Sequence, residues 1–388
     1  MDIASKNIID CIRNSIKHKS AKLHDPIFLG NEKKYLKDCI DMNIVSTTGP
    51  FISKLENKLK DFTSVKYVSL LNSGTSALQI ALIVAGVEEQ NEVLMPAMTF
   101  AATAHAVMYL NATPHFVDSE MNTLGIDVSR LRDYLQSISI KKNGYTINKQ
   151  TNKIIKAIIP VHTFGHPVNI SQLLKLGREF NLKIIEDSAE SIGSFYKKKH
   201  TGTFGSLGVL SFNGNKTITT GGGGAILTNN KEYDKLARHL AATSKKSHHW
   251  EYIHDRLGFN YRMPNLNAAL GLAQMENIKK ILKNKRKLYS SYKYNFSNNE
   301  YVDLFKEPKN CKSNYWFQTI ILKNKHVSKK NIIIKNLNNH GLQCRPAWKI
   351  LPELNHLRRF PKMNLINAKK IYSAVINIPS NITLNEKR

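Results

Sequence analysis

The 388-residue sequence predicts an α/β fold with a mainly parallel central sheet, followed by a smaller C-terminal α+β domain. Three observations carry that expectation. Short apolar runs alternate with helix-length segments from about Ser46 onward. Several of these runs end in polar or acidic turns, as at Asn72-Ser73-Gly74 and Glu186-Asp187. Near residue 245 the pattern changes to a polar loop and then a long helical stretch.

Taken in order, residues 1–45 read as an N-terminal helical segment, broken at His24-Asp25-Pro26. Ile8, Ile9, Ile12 and Ile16 share one face of its first helix, and Asn31 to Met42 fits a second. Residues 46–264 form the large α/β domain. A helix follows Gly49-Pro50, and strands are predicted at Tyr67–Leu71, Val93–Met95, His115–Val117, Ile154–Val161, Lys183–Ile185 and Gly208–Phe212. Lys141 to Lys153 reads as an exposed hairpin or loop. Residues 265–388 form the small domain. A single long helix is expected from Asn260 towards Tyr294, then a strand at Tyr315–Leu322, a helix at Ile332–Asn339 and a strand at Ile376–Pro379.

The hydrophobic fraction of 41% and charged fraction of 22% are those of a soluble globular chain. No apolar run reaches the roughly 20 residues needed to span a bilayer, and the opening MDIASKNIIDCIRNSIKHKS has no signal-peptide core. A cytoplasmic protein without membrane partners is expected. Cys11, Cys39, Cys311 and Cys344 lack CxxC spacing, which argues against a zinc site or a disulfide framework. The net charge of +28 favours anionic partners. Its lysines are spread along the chain, no nucleic-acid module motif is present, and nucleic acid is not the expected partner. The densest cluster, Lys279 to Lys287, has apolar residues at helical spacing and reads as a solvated helix face.

The stretch GVLSFNGNKTITTGGGGAILTN, Gly208 to Asn229, places Lys216 in a polar turn between two apolar runs, beside four glycines. Such a lysine can hold a phosphate, form an imine, or lie solvated in a flexible loop. A P-loop is excluded, because the position of its first glycine holds Val209. Asn72-Ser73-Gly74-Thr75-Ser76 lies between a strand and a helix; it suits a phosphate, or a plain helix cap. Glu186-Asp187-Ser188-Ala189-Glu190 puts acids at a strand's carboxyl end, where ligands of open α/β sheets sit. No His cluster accompanies them, so no metal is expected. Ser211 can also reach a phosphate, or bond to backbone. Gly258 to Pro264 either belongs to a site or packs two domains together. A phosphate site, a strand-end carboxylate and a loop lysine at one sheet edge are what pyridoxal 5′-phosphate requires.

On the motifs NSGTSAL, PAMTF, EDSAES, HTGTFG, SFNGNKTITTGGGG and GFNYRMPNLNAALG, the chain from Ser46 nearly to its C-terminus resembles the DegT/StrS family. These are pyridoxal phosphate-dependent nucleotide-sugar aminotransferases of the aspartate aminotransferase fold, fold type I. VHTFGHP, SFNGNK and NHGLQCRPAW resemble the subgroup that aminates UDP-4-keto-6-deoxy-N-acetylhexosamines on routes to bacillosamine and legionaminic acid. The resemblance implies Lys216 as the imine-forming, catalytic lysine and Asp187 as the partner of the pyridine nitrogen. It implies Phe100 stacked on the ring, where relatives often have Trp or Tyr, and Gly74, Thr75, Ser76 and Ser211 on the phosphate. Glu190 stands near the ring hydroxyl, where many members carry His or Gln. Asn260 would reach the phosphate of a neighbouring subunit's cofactor, making a homodimer with shared sites. His340, Arg345 and Trp348 fall where the family binds the sugar nucleotide. The implied reaction passes an amino group from L-glutamate to the 4-keto carbon of the nucleotide-linked sugar, for surface glycan or nonulosonic acid synthesis. The alternatives are a GDP-4-keto or 3-keto sugar as acceptor, or a basic nucleic-acid-binding or regulatory protein. A dehydrating branch of the family has His in place of the lysine, and Lys216 argues against it. Relatives usually continue into a final helix beyond the equivalent of Ile378-Pro379-Ser380, so a short or missing last helix is expected.

Overall fold

The structure, a computed structural model, describes residues 1–381. The last-helix expectation falls on residues 382–388, outside that range.

Helix α1 (Ile3–Ile16) buries Ile8, Ile9, Ile12 and Ile16, the face its spacing predicts, and the Asp2 side chain caps it by accepting from the Ser5 amide. Helix α2 (Glu32–Asp41) follows the break, and α3 (Pro50–Thr63) starts on a proline, where the missing N–H is not needed.

Strand and helix then alternate: β1 (Tyr67–Leu71), α4 (Gly74–Val84), β2 (Asn91–Pro96), α5 (Ala102–Met108), β3 (Thr113–Val117) and α6 (Val128–Ile138). The hairpin β4 (Ser139–Lys142) and β5 (Tyr145–Asn148) accounts for the polar stretch before β6 (Ile154–Ile158). Next come α7 (Ile170–Glu179), β7 (Lys183–Asp187), the two-residue strands β8 (Phe195–Tyr196) and β9 (Lys199–His200), β10 (Leu207–Ser211), β11 (Gly224–Thr228) and α8 (Lys231–Ala241). The main sheet has the order β1-β11-β10-β7-β6-β2-β3. Every pairing from β10 through β3 is parallel; β11 runs antiparallel between β1 and β10, with Ser211 opposite Gly224. Strands β2, β3, β10 and β11 are buried along their whole length, as helix-covered parallel sheets require. The carboxyl ends of β1, β2, β7 and β10 therefore open at one rim.

The long helix expected from Asn260 is instead two: α9 (Asn265–Glu276) and α10 (Ile278–Asn295), meeting at Asn277 with φ −99° and ψ 2°. That conformation lies outside the helical range, and Asn260 itself lies in a short bridge to Ala242. Then follow β12 (Val302–Leu304), β13 (Cys311–Lys312), β14 (Gln318–Leu322), α11 (Lys330–Asn339), β15 (Arg345–Pro346), α12 (Ile366–Ala374) and β16 (Val375–Ile378). The second sheet, β12-β14-β16-β15, is antiparallel, and a small third sheet joins β13, β8 and β9.

The cores cut across the domain boundaries read from sequence. Ala268 and Ala269 of α9 pack with Leu55 of α3 and Leu210 of β10, on the main sheet. Ile8 and Ile12 of α1 pack with Leu288 of α10 and Ile320 and Ile376 of the second sheet. The N-terminal helix thus shares a core with the C-terminal elements. The basic cluster also divides: Lys279, Lys280, Lys283 and Lys287 are exposed, whereas Lys285 is fully buried on the inward face of α10. Among the described residues no helix is long and apolar enough to cross a membrane.

Candidate active site

A cavity of about 690 Å³ opens at the shared rim of β1, β2, β7 and β10. Of the residues singled out from sequence, Gly74, Thr75, Phe100, Asp187, Glu190, Ser211, Lys216, Arg345 and Trp348 line it. They come from five stretches of the chain, 74–75, 100, 187–190, 211–216 and 345–348, and only the tertiary fold brings them together. At the start of α4, the Ser73 side chain accepts from the Ser76 amide at 3.0 Å. Gly74 is required there because a Cβ would come within 2.8 Å of Ser211 Cβ. The N-terminus of an 11-residue helix thus packs against the Ser211 side chain.

Three expected site residues lie outside the cavity. Ser76 sits behind its wall, with its hydroxyl 2.7 Å from that of Ser73, and so serves the cap. Asn260 is exposed on the surface of its own chain. His340 is exposed at the end of α11, where its ring folds back to the Asn336 carbonyl at 2.8 Å and its own carbonyl accepts from Arg13. On its own chain it does not line this cavity.

The strand-end acids differ in environment. Glu186 is spent on structure: it accepts from the Gly202, Phe204 and Gly205 amides at 2.7–2.8 Å and lies 3.1 Å from His162. Burial raises its pKa, but His162 and the amides outweigh burial and leave it lowered. Asp187 is also buried, and burial leaves its pKa raised although Ala189 N–H (3.2 Å) and Thr103 Oγ1 (2.9 Å) donate to it. Glu190 is pushed up to about 7, chiefly by burial, against the pull of Lys216 and the Phe164 amide. Its Oε1 lies 3.2 Å from Lys216 Nζ, and its Oε2 accepts from Phe164 N–H at 2.9 Å.

Pyridoxal phosphate fits this set of residues. Asp187 is a buried anion with only neutral donors in contact, and a protonated ring nitrogen answers that need. Lys216 brings an amine into the same cavity, and the α4 terminus with Ser211 offers donors to a phosphate. Among the described residues no group of three or more His, Cys, Asp or Glu side chains could hold a metal.

Sequence reasoning missed Thr103, Asn314 and Trp316. Thr103 follows Phe100 by three positions, one helical turn, and that spacing from PAMTF was an available signal. Trp316 has its ring 4.2 Å from Lys216 Nζ and lines the cavity; nothing in SNYWF singled it out.

Residues 28–388 match the profile of the DegT/DnrJ/EryC1/StrS aminotransferase family. The chain is 37% identical over 330 residues, 85% of each protein, to the GDP-perosamine synthase of Escherichia coli O157:H7. It is 30% identical over 347 residues, 88% of each, to a UDP-4-amino-4,6-dideoxy-N-acetyl-beta-L-altrosamine transaminase of Campylobacter jejuni. The GDP-sugar relative is the more similar of these two, which weakens the narrower resemblance to UDP-sugar enzymes. Among solved structures, Helicobacter pylori PseC, an aminotransferase involved in the biosynthesis of pseudoaminic acid, superposes with a TM-score of 0.85 at 25% identity, covering 94% of this chain and 95% of that one. What these relatives share with the site is the chemistry of amino transfer to nucleotide sugars with pyridoxal phosphate as cofactor, and the chain belongs to the DegT/DnrJ/EryC1/StrS aminotransferase family.

Proposed function

We propose that the protein moves an amino group from L-glutamate to the 4-keto carbon of a nucleotide-linked 4-keto-6-deoxy sugar, with Lys216 as the catalytic residue. The supporting observation is that Lys216 and the buried Asp187 line one cavity together with Gly74 and Thr75 of the α4 terminus. When bound, pyridoxal phosphate supplies an aldehyde that takes up the amine and a protonated ring that draws off an electron pair. Asp187, oriented by Thr103 and Ala189, holds the proton on the ring nitrogen. Gly74, Thr75 and Ser211 bind the phosphate, and Ser76 supports them by fixing Ser73. Phe100 walls the ring. With the cofactor bound, Lys216 Nζ would act as the base that takes the proton from the donor's Cα and as the acid that gives it back, and would serve the acceptor sugar in the reverse sense. Glu190 stabilises the ammonium between those transfers.

Arg345 brings a positive charge to the cavity mouth for the carboxylate or diphosphate of the substrates. Trp348, packed 4.6 Å from Phe164, lines the acceptor side. A homodimer, with Asn260 directed to the partner's cofactor, completes the reading; its surface exposure is compatible with that.

A GDP-linked acceptor has the stronger support, from the 37% identical relative. A UDP-linked N-acetylhexosamine, as on routes to bacillosamine or legionaminic acid, is the second reading, supported by the 30% identical transaminase. The test is purified enzyme with L-glutamate and each 4-keto sugar, read as 2-oxoglutarate release and amino-sugar mass. The expected result is turnover of the GDP sugar at least about tenfold above the UDP sugar, a discrimination of roughly 1.4 kcal/mol. Turnover of neither overturns the reading.

A further inference from the structure

Lys216 has an unusual neighbour on the side of the second sheet. The segment Asn314–Phe317, just before β14, reaches across to the main-sheet rim. Trp316 is 2% exposed, and its ring centre lies 4.2 Å from Lys216 Nζ. The ring is fixed from several directions. Its Nε1–H donates to the carbonyl of Asn215, the residue before Lys216, at 2.7 Å. Its backbone amide donates to Asn314 Oδ1 at 2.8 Å, and its backbone carbonyl accepts from the buried Lys285 amine at 2.8 Å. Phe317 stacks on it at 3.8 Å.

Asn314 extends this bracing to the other side of the amine. Its Nδ2 donates to the carbonyls of Glu190 and Ile192 at 2.8 and 2.9 Å and to Thr217 Oγ1 at 3.2 Å. One side chain thus ties the indole's own backbone to the residues on which Glu190 and Lys216 sit. Gly165 makes room for it, since a Cβ there would meet Asn314 Oδ1 at 1.9 Å. The Lys216 side chain is only 12% exposed, so its charge has lost most of its water. An aromatic face and a carboxylate stand in place of that water, and both attract a cation.

We propose that Trp316 is the positioning residue for the catalytic amine: its braced indole face holds Lys216 Nζ at the Glu190 carboxylate. This rests on the assignment of Lys216 as the cofactor lysine. Trp316 acts through Lys216 and not on substrate. A purely structural tryptophan would change stability without moving the midpoint of the bound cofactor's visible titration.

The test is a pH titration of the visible absorbance of the purified enzyme, which follows the proton on the Lys216 nitrogen, for the wild type, Trp316→Phe and Trp316→Leu. The midpoint of Trp316→Leu is expected to fall by about one pH unit, with kcat down by about tenfold and the KM for glutamate little changed, while Trp316→Phe retains a ring face and stays within a few tenths of a unit. Should the leucine variant not fold, Trp316→Met removes the ring with better filling of its volume and is expected to shift the midpoint equally. A ring-free variant with the wild-type midpoint overturns the proposal. So does a phenylalanine variant that shifts as far as leucine, because the indole N–H, not the ring face, would then be responsible. A wild-type enzyme with no visible chromophore would instead refute the assignment of Lys216, a separate outcome.

Discussion

Lys216 and Lys285 are both withdrawn from water, yet the two regions that hold them use the amine in opposite ways. Lys216 stands on the turn between β10 and β11, at a cavity, 3.2 Å from a carboxylate. Lys285 lies in the middle of α10, wholly buried, and donates to the carbonyls of Trp316 and Ser380 at 2.8 and 2.7 Å. No carboxylate is paired with it among the described residues, and burial holds its pKa well below the usual lysine range. A lysine beside an acid and an open cavity can exchange protons. A lysine sealed against carbonyls is a strut that joins the start of β14 to the end of β16. On the proposed reading, burial alone does not make a lysine catalytic; access and a proton partner do.

The sharpest way to break the contrast is Lys216→Ala. Turnover is expected to fall by about 10³-fold or more, and the visible absorbance of the bound cofactor to disappear. Retained multiple turnover in a steady-state assay would return Lys216 to the class of Lys285.

Lys285→Met tests the other half. The folded-state pKa of Lys285 is depressed, so the unfolded chain binds the extra proton between that value and the ordinary lysine range. Wild-type stability therefore gains with rising pH in that window, by at most about 1.4 kcal/mol per pH unit from this group. The methionine variant loses that slope, and its unfilled carbonyls cost about 1–2 kcal/mol at the alkaline end. Urea unfolding at pH 7 and pH 9.5 reads both effects, while the visible absorbance remains.

Glu190→Gln gives the smallest change and sharpens the role of the proton partner. The Glu190 pKa of about 7 lies above its unfolded value, so this group's contribution to stability is greatest in acid and declines as pH rises from the ordinary glutamate range through 7. The glutamine variant should lack that decline in thermal melts. At pH 8 its kcat should drop by about threefold, and the acid limb of the pH–rate profile near 7 should vanish.

Much of this site was legible because its residues lie in local motifs. Gly74 and Thr75 open a helix after a strand, Asp187 closes an apolar run, and Ser211 and Lys216 flank one turn. Strand ends in parallel sheets share one rim, so the motifs could be placed near one another without coordinates. Lys285 was not legible: within KNKRK only the helix's phase against the second sheet separates it from exposed Lys283 and Lys287. His340 differs from its neighbours for the complementary reason. Its neighbours Arg345 and Trp348 line the cavity, but the end of α11 turns its ring outward.

By itself the sequence determined the alternation of strands and helices and which acids, serines and lysine stand at the main-sheet rim. These depend on periodicity and turn residues close together in the chain, whose preferences act before any distant contact forms. Tertiary structure alone decided that α1 would share a core with the C-terminal sheet, that the helix after Pro264 would break at Asn277, and that Trp316 and Asn314 would brace Lys216. The first and the last of those join segments far apart in the chain, and only the packing of the whole fold brings them into contact.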